Sequence, residues 1–176
     1  MFDTSYYVLD SERIQRIAQP LPRDRVVGNE SISDPTVKKK WESGGSGLVS
    51  TVRDFARFLQ MIVNEGVLDG RRYLSAKSVA VIKRNEVAPA TRIKPWAYYF
   101  PGPGFGYGLG FAVRTGTGVD GVPGYIGELA WGGAAGTYFW VYPDQNMVML
   151  FMLQTPTQRG RIQPILKKLV FEPLEK

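Results

Sequence analysis

Gly136-Thr137-Tyr138-Phe139-Trp140-Val141-Tyr142-Pro143-Asp144-Gln145-Asn146-Met147-Val148-Met149-Leu150-Phe151-Met152-Leu153 is the stretch on which the fold turns. Its aromatic, β-branched and long apolar residues predict two strands, residues 136–142 and 147–153. Pro143 presets its own φ, and Asp144 and Asn146 can hydrogen-bond nearby backbone, so residues 143–146 read as a turn. Two strands joined so tightly pair antiparallel. Upstream, residues 107–113 alternate large side chains with glycine and predict a third strand, its glycines placed where another backbone approaches closely. Residues 116–127 form a glycine-rich connection.

The clearest helix lies earlier. Val52, Phe55, Ala56, Leu59, Ile62 and Val63 recur at helical spacing, while Arg53, Asp54, Arg57, Gln60 and Asn64 take the opposite face. Thr51 followed three residues on by Asp54 is a start signal, with Ser50 as the competing N-cap, and Gly66 is the stop. Leu68-Asp69-Gly70-Arg71 predicts a tight turn between two short extended pieces. Ser75 caps a second helix running to about Glu86, with Val79, Val81 and Ile82 inward. A loop anchored by Trp96, Tyr98, Tyr99 and Phe100 follows. The chain closes on a short amphipathic helix over residues 162–171, with Ile162, Ile165, Leu166, Leu169 and Val170 on its buried side. Residues 1–43 read as an irregular connecting segment, with a short helical turn before Pro20, and residues 44–176 as the folded portion. The expected class is α+β: an antiparallel sheet of at least three strands with helices packed on it. So few strands would leave an apolar edge and face, which predicts self-association through exposed sheet surface or pairing with another chain.

Composition excludes several chemistries. Of 176 residues none is Cys and none is His. Disulfides, thiol catalysis, thiolate metal sites and every Ser-His-Asp arrangement are therefore absent, and no metal or other cofactor is expected. The net charge of +6 is spread along the chain, with short clusters at Lys38-Lys39-Lys40, Arg71-Arg72 and Lys167-Lys168. That dispersion predicts solvated faces in place of a nucleic-acid surface. No apolar run is long enough for a transmembrane helix, and the opening residues lack the pattern of a signal peptide. No compartment can be read from the sequence.

Three segments, in order, resemble the β-lactamase-related serine hydrolases, the family of class C β-lactamases, penicillin-binding proteins, D-aminopeptidases and carboxylesterases. Gly44-Gly45-Ser46-Gly47-Leu48-Val49-Ser50-Thr51, with Asp54, Phe55 and Phe58 behind it, is similar to the family's glycine-rich turn into a helix. Leu68-Asp69-Gly70-Arg71-Arg72-Tyr73-Leu74-Ser75 is similar to the turn that follows it. Trp131-Gly132-Gly133-Ala134 resembles the family's third catalytic motif, with the hairpin after it. Met1-Phe2-Asp3-Thr4 also resembles a Met-x-Asp-Thr segment internal to the family, which makes the chain look like a C-terminal part of the fold.

The resemblance implies an acyl-serine mechanism that needs a serine in Ser-x-x-Lys and a Tyr-x-Asn proton shuttle. Ser43, Ser46, Ser50, Ser75 and Ser78 are followed three places on by Ser, Val, Arg, Ser and Val, and no other serine has Lys there. None of the nine tyrosines is followed two places on by Asn. No catalytic residue is therefore assigned, and inactivity alone is expected. What the resemblance leaves is a substrate-binding wall of Trp131, Gly132, Gly133 and Ala134, with the Ala134 N–H as one oxyanion donor. Read from the residues alone, the same stretch is a bulge with a packed indole. Trp131 stands where relatives carry Lys or His, which implies a neutral ester or amide substrate, bound only if the missing half is supplied. The competing expectation is a non-catalytic, self-associating module of the same fold.

Overall fold

The computed structural model describes residues 1–24, 34–87, 102–116 and 122–173. Its elements run α1 (Ser11–Ile14), α2 (Val52–Val63), β1 (Val67–Leu68), β2 (Arg71–Arg72), α3 (Ala76–Lys83), β3 (Phe105–Tyr107), β4 (Ala112–Arg114), β5 (Leu129–Gly132), β6 (Tyr138–Tyr142), β7 (Met147–Phe151) and α4 (Arg159–Phe171). Strands β3 to β7 form one antiparallel sheet in chain order. The class is α+β, as expected.

The hairpin of β6 and β7 forms as the opening stretch predicts, with Tyr142 opposite Met147 and Tyr138 opposite Phe151. Its turn is a single 3-10 turn that ends on Asn146 at φ 48°, a left-handed position that asparagine tolerates. Both strands are apolar at every position because both faces of the sheet are covered. Phe139, Val141, Val148 and Leu150 face a core shared with Leu59, Ile62 and Val79 of α2 and α3. Tyr138, Trp140, Tyr142, Met147, Met149 and Phe151 face the opposite way, towards Phe171 of α4. The uncovered face predicted for a three-stranded sheet is thus occupied by the terminal helix.

Three expectations are corrected. Residues 107–113 are not one strand. They split into the end of β3 and the start of β4, with a turn closed by the Gly108 N–H donating to the Phe111 carbonyl at 2.8 Å. A Cβ on Gly108 would run into the backbone carbonyls of Ile82 and Arg84, so the glycine marks a close approach of α3 to the turn. The residue pattern marks no strand over residues 129–132; β5 there, together with that split, brings the sheet to five strands. Helix α4 also presents an unexpected face. Lys167 and Phe171 are buried, while Ile165, Leu169 and Val170 are exposed, because Lys167 has a buried partner described below.

Helix α2 starts on Thr51, whose hydroxyl accepts from the Asp54 N–H at 3.3 Å. It closes through Gly66 at φ 90°, whose N–H donates to the Met61 carbonyl. Asp54, assigned to the solvent face, is only 5% exposed. It is buried because the N-terminal segment folds over it: its carboxylate accepts from the Asp3 N–H at 2.8 Å and the Thr4 hydroxyl at 2.9 Å. These bonds hold its carboxyl below the ordinary range, against burial, which is the largest single influence and acts the other way. Ser5 and Val49 exchange backbone hydrogen bonds, and the Tyr6 hydroxyl donates to the Ser43 carbonyl at 2.8 Å. Asp69 and Gly70 both take positive φ and close the β1–β2 hairpin as Asp-Gly predicts. Helix α3 begins on Ser75 and stops at Lys83, three residues short of the expected end. The aromatic loop at residues 96–100 lies outside the described residues.

Candidate functional site

The four residues of the expected wall occupy the end of β5 and the turn that leaves it. Leu129 to Gly132 pair with Val141 to Tyr138 on β6. On the other side, β4 pairs only with Leu129 and Ala130. Among the described residues, no strand pairs with the β4-side edge of β5 from Trp131 onward, although β5 is the middle strand of the sheet. Trp131 packs its ring edge against Tyr107, centroids 5.2 Å apart, and leans on the buried Phe105 and Ala112.

Small residues are required here for steric reasons. A Cβ on Gly132 would enter the Tyr138 ring, and one on Gly133 would enter the Thr137 side chain. Gly133 donates to the Thr137 carbonyl at 2.9 Å, and Gly136 donates to the Gly133 carbonyl at 3.1 Å. The turn is then clamped from the segment before α4 and from the first residue of that helix. The Thr155 N–H donates to the Ala135 carbonyl at 2.7 Å, and the Arg159 guanidinium donates to the Ala134 carbonyl at 3.4 Å. The Ala134 N–H makes no hydrogen bond among the described residues. It sits half-buried in a turn whose other polar groups are largely engaged. A free, rigidly held N–H of this kind can stabilise developing negative charge.

Sequence reasoning missed the clamp. Arg159 and Thr155 are more than twenty residues from Ala134, and no local pattern ties them to it. The segment that carries them is fastened in turn: Asp24, 6% exposed, accepts from both the N–H and the hydroxyl of Thr157.

A second polar cluster lies in the interior. Glu128 is 1% exposed. Both its oxygens accept from Lys167 Nζ, at 2.6 and 2.7 Å, and one also accepts from Arg114 at 3.4 Å. Arg114 spends its remaining donors on the carbonyls of Gly116, Val122 and Pro123. Burial pushes the Glu128 carboxyl up and the Lys167 ammonium down, each opposed by the other's charge. Gly124 lies so close that a Cβ there would strike Arg114 and Glu128. Tyr142 is buried beside the cluster. Burial first, and then the Glu128 charge, raise its hydroxyl well above the ordinary range. This cluster ties α4 to β4 and β5 and is not open to substrate. Asp144 is exposed in the β6–β7 turn, far in sequence from any partner carboxylate. Among the described residues, no group of three or more acidic, His or Cys side chains gathers as a metal site would need. No helix among them is long and apolar enough to cross a membrane.

Comparison with known proteins agrees with this architecture. The chain is 30% identical over 169 residues to Protein Rv1367c of Mycobacterium tuberculosis strain ATCC 25618 / H37Rv. It is equally similar to Uncharacterized protein MT1414 of strain CDC 1551 / Oshkosh. Each match covers 88% of this chain and 40% of the relative, so the chain spans about two fifths of the length of these relatives. Among solved structures, EstCE1, a hydrolase with promiscuous acyltransferase activity, superposes with a TM-score of 0.71 at 19% identity, covering 96% of this chain and 46% of its own. Unliganded simvastatin synthase (LovD) from Aspergillus terreus gives 0.65 at 16% identity, covering 92% and 44%. At such identities the likeness is one of fold. The family described as Beta-lactamase matches residues 1–170. An antiparallel sheet covered on both faces, the glycine-rich entry to α2 and the family match together establish that the chain belongs to the Beta-lactamase family.

Proposed function

We propose that this chain carries one wall of an acyl-transfer site in a serine hydrolase of the esterase type, and that it is inactive alone. Residues 44–176 are read as the C-terminal portion of a β-lactamase-like domain, with residues 1–43 a connecting segment strapped to it. One observation carries the reading: the Ala134 N–H is unbonded among the described residues, at the point where β5 leaves β4. A substrate carbonyl laid along Trp131-Gly132-Gly133 would bring its oxygen to that N–H. The glycines keep the approach clear, and Trp131 supplies an apolar, uncharged floor suited to a neutral ester or amide.

In this reading the attack itself must come from elsewhere. Neither Ser-x-x-Lys nor Tyr-x-Asn occurs in the chain, so no nucleophile, base or proton shuttle is assigned to it. The second oxyanion donor would be the N–H of the supplied serine. The fold neighbours lend support, since one is a hydrolase with promiscuous acyltransferase activity and another a simvastatin synthase. No cofactor is invoked. The test is hydrolysis of a p-nitrophenyl ester by the purified chain. Release of p-nitrophenol at the background rate is expected. Turnover that disappears when one of its own serines is replaced by alanine would overturn the reading.

A further inference from the structure

The unbonded Ala134 N–H belongs to the peptide group between Gly133 and Ala134, whose carbonyl accepts from the Gly136 N–H at 3.1 Å. That bond closes a turn over residues 133–136. The central peptide of such a turn, here the one joining Ala134 to Ala135, is the group that flips over between turn types. Its carbonyl is the Ala134 oxygen, to which Arg159 donates at 3.4 Å. The next peptide is held through the Thr155 N–H, which donates to the Ala135 carbonyl at 2.7 Å. Gly136 stands at φ 113°, and a Cβ there would meet the Thr155 carbonyl at 3.1 Å. The direction of the Ala134 N–H therefore depends on where residues 155–159 lie.

Those residues have little of their own to fix them. The Gln158 N–H closes a turn onto the Thr155 carbonyl at 3.2 Å, and α4 starts without a side-chain cap. Their anchor comes from 133 residues earlier in the chain. Asp24, buried at the end of the 3-10 turn Pro22–Asp24, accepts from the Thr157 N–H at 3.1 Å and from the Thr157 hydroxyl. A carboxylate that takes both donors of one residue fixes its backbone and its rotamer together, and such charge-assisted bonds are roughly twice as strong as neutral ones.

We propose that Asp24 is a positioning residue of the acyl-transfer site. Through Thr157 it sets the 155–158 turn, and through Thr155 and Arg159 it fixes the direction of the Ala134 N–H. Asp24 touches no reacting atom itself. A donor of this kind has to be held within about 0.5 Å and 10–20° of its working geometry, and a relay of packed backbone groups does so. Residues 1–43 then contribute to the site as well as strapping the fold. The role assigned to Asp24 rests on the acyl-transfer reading of the wall. The relay is read from amide signals alone, so it stands or falls whether or not any ester is turned over.

Two-dimensional NMR of the whole nitrogen-15-labelled chain tests it. Asp24→Ala removes the acceptor, and Thr157→Val removes the hydroxyl at nearly constant shape. Each should shift the Ala134 amide signal. Exchange of the Thr155 and Gly136 amides should accelerate about tenfold or more, the scale of losing a charge-assisted bond in a locally opening segment. The amides of Trp140 and Val141 in β6 should exchange at the parent rate. Asp24→Asn keeps an acceptor and Thr157→Ser keeps a hydroxyl, so both should return the Ala134 signal to its parent position. Unmoved Ala134 and Gly136 signals in either disrupting variant would overturn the proposal and leave Asp24 as a local tie. Faster exchange that extends equally to β6 would overturn it too, because the bond would then serve only global stability.

Discussion

Replacing Lys167 by methionine isolates the most costly group in the interior. Glu128 has no exposed side-chain surface, and Lys167 contacts both of its oxygens, at 2.6 and 2.7 Å. Methionine fills most of the space of the lysine stem but leaves a buried carboxylate facing only Arg114, at 3.4 Å and already shared among three carbonyls. Breaking a buried pair from one side costs about 3–5 kcal/mol. The residual contact with Arg114 puts the expectation near the lower end, about 3 kcal/mol. The double variant Glu128→Gln with Lys167→Met removes the stranded charge, and should recover about half of that loss because the desolvation of both ions disappears as well. Urea unfolding followed by circular dichroism measures both. With a slope of roughly 2 kcal/mol per molar, the single variant should lose about 1.5 M in midpoint. A single variant within about 0.5 M of the parent, or a double variant no better than the single, would refute the assignment of Lys167 as the partner that makes Glu128 tolerable.

Tyr142→Phe removes a buried hydroxyl that has no hydrogen-bond partner among the described residues. Unfolding should show stability unchanged or raised by about 1 kcal/mol, the reverse of the usual cost of trimming a core tyrosine. Gly132→Ala places a methyl group in the Tyr138 ring. The expected outcome is a loss of about 1–3 kcal/mol through overpacking, with a chemical-shift change at the Ala134 amide in a two-dimensional NMR spectrum. Asp54 has a folded-state pKa below its ordinary value of 3.8. Its contribution is therefore complete above the ordinary aspartate range and is lost as pH falls through the lowered folded value. Hydrogen exchange at the Asp3 amide should accelerate in that acid window. In Asp54→Ala, which has no side-chain acceptor, it should already be fast at neutral pH.

Local patterns made much of the fold legible. Thr51, Asp69-Gly70 and Ser75 mark caps and a turn through chemistry confined to a few neighbouring residues, and each performs the role that its chemistry predicts. The β6–β7 hairpin was readable because Pro143 and Asn146 bracket its turn. What could not be read depended on partners far along the chain. Asp54 follows the polar face of α2 by period, yet it is covered by Asp3 and Thr4, some fifty residues away. Lys167 stands among apolar residues in a helix pattern that favours its neighbours, and only the position of Glu128, 39 residues earlier, turns it inward. The split between β3 and β4 likewise follows from the end of α3 pressing on Gly108. For the wall at Trp131–Ala134, the sequence identified the residues, and the clamp from Thr155 and Arg159 became visible only in three dimensions.

Strands β6 and β7 are apolar at every position because a helical layer covers each face. In a half-exposed strand, sliding by one residue throws its greasy side into water, and that penalty holds the alignment. Here a slide would merely exchange one oily layer for another, so the usual penalty is weak. Alignment must instead be enforced at the ends, by the left-handed Asn146 in the turn and by the fit of Gly132 beneath the Tyr138 ring. Damage to either should yield a compact but misthreaded sheet before it yields an unfolded chain.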